Sequence, residues 1–296
     1  MGYQVVSFSG GEPFLYSGLG EVLRHAKSLG LRTTVTTNGY FLQARRLEPL
    51  LDFIDVLAVS LDGPPELHNR LRGSPVAFDR LCAGLKSLRG SGLYFGFIHT
   101  LTQETWEHLA WMAEFAAASG ARLLQLHPLE MAGRAEGRLG ALCAEGDGLA
   151  KAYLVATALA AKYSGTMTVQ VDLLHRDQVM RVPAMVYADE LVRAWDESAP
   201  ADLLGLIVVE ADGAVVPISY GFSRRYQICS LKEQGLEQGW RDFLDQGYPE
   251  FRRLCHELFK ELVSTNQRPL FNWHERVVAR SHLSTGFPGT VHSPAA

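Results

Sequence analysis

The chain has 296 residues, with 28 Lys plus Arg against 32 Asp plus Glu and 47% hydrophobic residues, which is the composition of an ordinary globular protein and excludes a disordered or collagen-like chain. The formal charge of -4 argues against nucleic acid as a partner, because neutralising phosphates requires clustered Lys and Arg in surplus. No apolar run approaches the roughly 20 residues that span a bilayer, and the first four residues do not resemble a signal peptide. We therefore expect a cytoplasmic protein with no membrane partner.

The first half of the sequence alternates between β-favouring and helix-favouring segments. Tyr3 to Phe8 is a nearly unbroken β-favouring run, as expected of a strand buried on both faces. Apolar residues then recur at helical spacing up to Leu29, with Ser17 available to cap the start of the helix and Gly30 to end it. Further strands are predicted at 33–36, 55–61, 93–100, 122–127 and 166–171, with helices between them and a loop from 61 to 78.

Strict alternation of this kind predicts parallel strands joined by right-handed crossovers, in an α/β sheet or barrel. In such folds the ligand site lies at the carboxyl ends of the strands. The chemically informative residues of this sequence follow the predicted strands, at 9–13, 37–39, 60–63, 99–100 and 127–130.

The pattern changes after Leu149. A helix is predicted at 149–163, a β-hairpin at 205–217 around the turn Asp212-Gly213, and a helix at 249–263. Residues 132–148 are rich in Gly and Ala and are predicted to form a connecting loop. We expect two domains, a barrel at 1–175 and a smaller α+β extension at 176–296.

Three motifs occur in a fixed order in the first domain: GGEP at 10–13, TTNG at 36–39 and SLDGPPELHNRLRG at 60–73. Together they resemble the radical S-adenosylmethionine (radical SAM) superfamily over roughly residues 5–130. Within this superfamily, the sequence is most similar to the branch with a C-terminal SPASM or twitch domain, which includes peptide maturases and anaerobic sulfatase-maturing enzymes. The resemblance implies a partial (β/α)6 TIM-like barrel with its first strand missing, followed by a small α+β SPASM-like extension.

The resemblance also implies which residues bind S-adenosylmethionine (AdoMet). Gly10, Gly11 and Glu12 would contact its methionine amino group, next to the rigid Pro13. Taken alone, GGEP favours a tight turn that holds no ligand over a binding site.

The other implied contacts come from later strand ends. Ser60 and Asp62 would lie near the ribose or carboxylate of AdoMet, although capping or turn roles are an alternative for both. The remaining residues implied are Thr37 and Asn38 along the cavity, and Ile98 and His127 beside the adenine.

The sequence departs from the family at the iron–sulfur cluster. Three thiolates of a CxxxCxxC motif hold the family's [4Fe-4S] cluster, and this chain contains no such motif. Ile218 occupies the position where a SPASM domain places a cluster cysteine. We therefore expect an N-terminally shortened radical SAM protein, through a late start site or a truncation, and no metal ligands among the scattered cysteines Cys82, Cys143, Cys229 and Cys255.

A different metal site would have to use histidines. His68, His99, His127 and His175 come from separate elements without a metal-binding spacing such as HExxH, which favours buried or surface roles for them.

Three functions are compatible with these observations. The leading hypothesis is an enzyme that reductively cleaves AdoMet to a 5'-deoxyadenosyl radical and abstracts hydrogen from a substrate, with a peptide as one candidate and a flavodoxin or ferredoxin as electron donor. It would be inactive unless the cluster-binding segment is supplied. The second is a cluster-free, non-catalytic relative that binds AdoMet or a peptide, and the third is a phosphate-binding α/β barrel that uses its glycine turns as an anion nest.

Overall fold

A computed structural model describes residues 1–129, 147–187, 199–264 and 268–283. Most of the predicted loop at 132–148, including Cys143, lies outside these residues. The chain divides into two compact units, a barrel unit of Gly2–His175 with Arg268–Asn272 and a C-terminal unit of Met1, Arg176–Gln267 and Trp273–Ala296.

The barrel unit is built on a parallel sheet of six strands in the order β1-β2-β3-β4-β5-β6. These strands are β1 (Val5–Phe8), β2 (Arg32–Thr37), β3 (Val56–Ser60), β4 (Tyr94–Leu101), β5 (Leu123–Pro128) and β6 (Thr168–Val171). The helices between them are α1 (Leu19–Ser28), α2 (Ala44–Leu47), α3 (Pro65–Arg72), α4 (Ala77–Leu88), α5 (Leu109–Ala118) and α6 (Asp147–Lys162). The unit also contains a two-stranded antiparallel ribbon of β7 (Leu174–His175) and β11 (Leu270–Phe271).

Side chains alternate between the two faces of the six-stranded sheet. One face carries the apolar core with the helices, for example Val35, Leu57, Phe97 and Leu124. The other face, here called the polar face, carries half-buried or exposed hydroxyl, amide and charged side chains. These are Ser7, Thr34, Thr36, Ser60, Thr100, Gln125, His127, Gln170 and, directly after β6, Asp172.

The fold class predicted from the sequence is confirmed, since all six predicted strands form and pair in parallel. Three local predictions are wrong, the first being the cap at Ser17, since Gly18 is the N-cap of α1 and no side chain caps the helix. The segment after β3 is not a loop throughout, because Pro65 at the first turn and Gly73 in the left-handed conformation bound the helix α3. The strand β1 is not buried on both faces, because Val5 lies with Ser7 on the polar face at the edge of the sheet and is half exposed.

The C-terminal unit contains an antiparallel sheet of three short strands in the order β10-β9-β8. These are β8 (Ile207–Val209), β9 (Ala214–Pro217) and β10 (Cys229–Ser230), so the predicted hairpin at 205–217 forms. The helices of the unit are α7 (Arg176–Arg181), α8 (Pro200–Leu203), α9 (Leu236–Gln246), α10 (Tyr248–Leu262) and α11 (Trp273–Ser281). None of the described helices in either unit has the length and apolarity needed to cross a membrane.

A glycine in β4 allows two strands of the barrel unit to pair closely. A Cβ atom at Gly96 would lie 2.6 Å from the Cβ of Leu123 and 2.7 Å from its carbonyl oxygen. We expect Gly96→Ala to lower the free energy of unfolding by about 1–3 kcal/mol, because backbone of β5 must move to admit the methyl group. Chemical denaturation measures this, with Gly148→Ala in α6 as the control, since a Cβ there meets nothing within 4 Å. Equal stability of the two variants would contradict the prediction.

Candidate functional site

The carboxyl ends of β1 and β2 are joined by the side chain of Glu12. Its Oε1 atom accepts hydrogen bonds from the Phe14 N–H at 3.2 Å and the Thr37 hydroxyl at 2.8 Å. Its Oε2 atom accepts from the Asn38 N–H at 2.9 Å. A carboxylate offers about four acceptor positions, so these bonds fix the two loops while one position on Oε2 remains for a ligand donor.

The two glycines before Glu12 leave space for a ligand. Gly10 has a φ of +107°, a conformation that glycine adopts without steric cost, and a Cβ at Gly10 or Gly11 would meet nothing within 4 Å. Both residues are exposed, whereas Pro13 is buried at the start of a short 3-10 turn, Pro13–Leu15. The loop is thus anchored at Glu12 and Pro13 and open at the glycines.

The loop after β2 is held by local hydrogen bonds of its own. Thr37 is buried and its hydroxyl also accepts the Gly39 N–H at 3.1 Å. The side-chain oxygen of Asn38 accepts the Tyr40 N–H at 2.8 Å, which forms an Asx turn. The structure therefore brings together the predicted residues of the first two strand ends.

Ser60 and Ile98 are brought together as direct partners in the register of β3 and β4. Both are half-buried residues that alternate with the apolar core positions, so they share the polar face with His127 on the neighbouring strand β5.

Asp62 occupies a different environment from the other predicted residues. Its carboxylate is buried and lies 2.5 Å from Nε of Arg72 and 3.7 Å from Nδ1 of His68. The Asp62 N–H donates to His68 Nδ1 at 3.2 Å, and burial lowers the pKa of His68, so its ring is neutral. The structure engages Asp62 in an ion pair that fixes α3 to the end of β3.

His99 is also buried away from the polar face. Its Nδ1 donates to the Leu61 carbonyl and its Nε2 accepts from the Thr105 hydroxyl, both at 3.0 Å. Burial lowers the pKa of His99 from 6.5 to about 4, which keeps the ring neutral. Among the described residues, no group of three or more His, Cys, Asp or Glu side chains is arranged to hold a metal ion.

The sequence analysis missed three polar residues around His127. The Asp172 carboxylate lies 2.9 Å from His127 Nδ1 and accepts from Nε2 of Gln125 at 2.8 Å and of Gln170 at 3.2 Å. Burial alone would raise the pKa of Asp172, but the hydrogen bonds from His127 and Gln125 outweigh it and lower the pKa. The available signal was the alternation of polar and apolar residues in β5 with an acidic residue directly after β6.

The described cysteines do not provide a site for an iron–sulfur cluster. Burial raises the pKa of Cys82, Cys229 and Cys255, which favours the thiol over the ligating thiolate. In the C-terminal unit, Ile218 and Cys255 line a cavity of about 270 Å³ that Asp202 and Arg252 also line. The cysteines in the described part of the chain therefore do not fit the cluster.

Part of the barrel unit matches a known protein family. Residues 1–116 match the model of the Radical SAM superfamily. A segment of 137 residues is 29% identical to the AdoMet-dependent heme synthase of Oleidesulfovibrio alaskensis, covering 46% of this chain and 35% of that protein. The matched part thus spans about a third of that relative's length.

Two solved structures show the same fold at low sequence identity. SuiB of Streptococcus suis bound to S-adenosylmethionine has a TM-score of 0.62 and 18% identity, over 84% of this chain and 57% of that chain. The structure of anSMEcpe with bound AdoMet and Cp18Cys peptide has a TM-score of 0.61 and 16% identity, over 93% of this chain and 82% of that chain.

The parallel sheet and its strand-end loops define a partial α/β barrel. Barrels of this type bind a ligand at the carboxyl ends of their strands. Within that class, residues 1–116 match the Radical SAM superfamily, and this match covers the barrel unit only as far as β4 and α5.

Proposed function

We propose that this chain is the AdoMet-binding part of a radical SAM enzyme that abstracts hydrogen from its substrate. The observation that carries the proposal is the Glu12 carboxylate, which organises the first two strand-end loops beside two open glycines in a radical SAM domain. A reduced [4Fe-4S] cluster, held by other residues, would supply the electron for forming a 5'-deoxyadenosyl radical from AdoMet.

The residues of the chain would bind and orient AdoMet along the polar face. Backbone groups of Gly10 and Gly11 and the remaining acceptor position of Glu12 suit the methionine ammonium group. The hydroxyl of Ser60 suits a ribose or carboxylate oxygen, and Ile98 with His127 offers apolar and ring contact for the adenine. With these contacts the ligand would lie across the carboxyl ends of β1 to β5.

The cluster and the substrate require further proposals. Because the described cysteines do not fit a cluster, its three thiolates would come from polypeptide outside the sequence given, and the electrons from a flavodoxin or ferredoxin. A peptide is the substrate class we favour, since anSMEcpe, which has the same fold, binds a peptide together with AdoMet. The three-stranded sheet and helices of the C-terminal unit would then correspond to a SPASM-like extension without cluster ligands.

Removing the Glu12 side chain tests the AdoMet site. We expect Glu12→Ala to raise the Kd for AdoMet at least about tenfold, because loss of the three hydrogen bonds frees both loops that would surround the methionine group. Isothermal titration calorimetry on the chain measures this binding without any cluster. Glu104→Ala, which removes an exposed carboxylate paired with Arg70, is the matched control. Unchanged affinity in Glu12→Ala, or no AdoMet binding by the wild type, would count against the site.

The second candidate is a cluster-free relative that binds AdoMet or a peptide without catalysis, and the absence of a cluster ligand set among the described residues favours it. Anaerobic reconstitution with iron and sulfide, on protein made from the whole coding sequence, separates the two functions. An enzyme would become brown and cleave AdoMet, whereas a binding protein would stay colourless.

A further inference from the structure

Two arginines and two aromatic rings of the barrel unit form a continuous chain of contacts, here called the arginine–aromatic row. The guanidinium carbon of Arg80 in α4 lies 5.4 Å from the ring centre of Tyr40, and that ring centre lies 5.1 Å from the ring centre of Phe41. The guanidinium carbon of Arg46 in α2 lies 5.7 Å from the ring centre of Phe41. Distances below about 6 Å are typical of cation–π contacts, so a ring holds the charge at each end of the row.

The row adjoins the loops around Glu12. Nη1 of Arg46 donates to the Phe14 carbonyl at 2.5 Å, and the Phe14 N–H donates to the Glu12 carboxylate at 3.2 Å. The Tyr40 N–H donates to the side-chain oxygen of Asn38 at 2.8 Å. A ligand on the row would therefore lie next to the two strand-end loops that carry the first predicted AdoMet contacts.

The charges of the row are available to a ligand. In the described part of the chain, neither Arg46 nor Arg80 pairs with a carboxylate, and the exposed Arg80 donates no hydrogen bond. A guanidinium that lies over a ring keeps N–H groups at its edge, where a carboxylate can accept two of them. Leu15 and Tyr16, which follow Phe14 directly, are 56% and 61% exposed and add apolar surface.

The arginines of the neighbouring helix α3 differ from those of the row. Arg72 pairs with the buried Asp62, and Arg70 pairs with Glu104. A carboxylate from a ligand would have to displace these partners at α3, whereas at Arg80 it displaces no carboxylate of the described residues. Arg80 is thus the better placed of these side chains to bind an anionic group.

We propose that the arginine–aromatic row binds an acidic stretch of the peptide substrate. The proposal rests on the proposed function, because it takes a peptide as the substrate class. Arg46 and Arg80 each donate to one Glu or Asp carboxylate of the peptide, and the rings of Tyr40 and Phe41 contact the apolar side chains between them. An extended chain advances about 3.3 Å per residue, so about five residues reach from one arginine to the other.

A single-stranded nucleic acid is the other ligand that suits arginines beside aromatic rings. It carries one negative charge per nucleotide, and the formal charge of -4 on the chain opposes such a polyanion. A peptide with two carboxylates meets less of this repulsion, so the observations favour the peptide.

Titration calorimetry on the whole chain tests the row. The probe is the acetylated and amidated hexapeptide Glu-Leu-Ser-Leu-Ser-Glu, with the same peptide carrying Gln for both Glu as its neutral counterpart. We expect the Glu peptide to bind at least about fivefold more tightly than the Gln peptide, and its Kd to rise about threefold or more in Arg80→Gln. Arg89→Gln removes another exposed charge at the end of α4 and should leave the Kd unchanged.

Equal affinity for the Glu and Gln peptides overturns the proposal, as does an equal Kd in the wild type and Arg80→Gln. Tighter binding of a six-nucleotide oligothymidine than of the Glu peptide also overturns it, because the row would then be a nucleic-acid site. Because Arg80 is exposed, its replacement leaves the core intact, and urea denaturation of Arg80→Gln confirms this.

AdoMet affinity is measured on the same samples, so failures of the two proposals are distinguishable. A wild type that binds no AdoMet contradicts the proposed function, whereas normal AdoMet binding without preference for the Glu peptide contradicts only the role of the row.

Discussion

Replacing Asp62 by alanine is expected to lower the free energy of unfolding by about 3 kcal/mol, because it leaves the Arg72 charge largely buried without its partner. The Asp62 carboxylate is 6% exposed and lies 2.5 Å from Nε of Arg72, whose side chain is 30% exposed. The ion pair also lies beside the neutral His68 ring and fixes α3 to the end of β3. Urea denaturation of the wild type and the variant measures the difference.

An exposed ion pair on the same helix provides the matched control. Arg70 of α3 pairs with Glu104, and both side chains are more than two-fifths exposed. Glu104→Ala should therefore cost less than about 1 kcal/mol. If the two alanine variants lose equal stability, Asp62 is not the structural anchor described here, and a role in ligand binding becomes the better account of it.

Lowering the pH below 6.5 is expected to destabilise the protein through His99. Its pKa falls from 6.5 to about 4 in the folded state because the ring is fully buried. Below pH 6.5 the His99 ring takes up a proton in the unfolded chain, whereas in the folded chain it does so only below about pH 4. The contribution of His99 to the free energy of unfolding is therefore fully present above pH 6.5 and is lost as the pH falls from 6.5 to about 4. The full loss is about 3 kcal/mol, of which about 2 kcal/mol falls between pH 7 and pH 5.

A variant without the titrating ring isolates this contribution. His99→Gln should be less stable at pH 7, since the Leu61 and Thr105 contacts change, but its stability should fall less steeply between pH 7 and pH 5. His68, whose pKa burial also lowers, adds a smaller loss of the same sign in both proteins. Free energies of unfolding from urea titrations at four pH values give the slopes. Parallel slopes for the two proteins would show that His99 is not the source.

The positions of the strands could be predicted because the local pattern of apolar residues determines them. Parallel strands buried by helices need apolar side chains at alternate positions, and β3 and β4 show this in the residues themselves. The loop predicted where α3 forms also has a local explanation. Pro65 and Gly73 mark the start and end of a helix, but the polar residues between them were interpreted as a loop. The exposure of β1 was not predictable in this way, since an edge strand is defined by the neighbours it pairs with.

The motifs allowed part of the candidate site to be predicted. GGEP and TTNG pointed to two strand ends, and the structure joins them through the hydrogen bonds of Glu12 to Thr37 and Asn38. The sequence could not show that Asp62 pairs with Arg72, because an ion pair and a ligand contact both suit an acidic residue after a strand.

By itself, the sequence determined the alternation of strands and helices, the parallel sheet and the resemblance to the radical SAM superfamily, all of which follow from periodicity and short contiguous motifs. Only the tertiary structure decided which polar side chains meet. Asp172 and His127 are 45 residues apart in sequence, and their contact arises because β5 and β6 pair in parallel, which brings their carboxyl ends to the same edge of the sheet. Contacts across neighbouring strands depend on register, and register is set by the packing of the whole sheet.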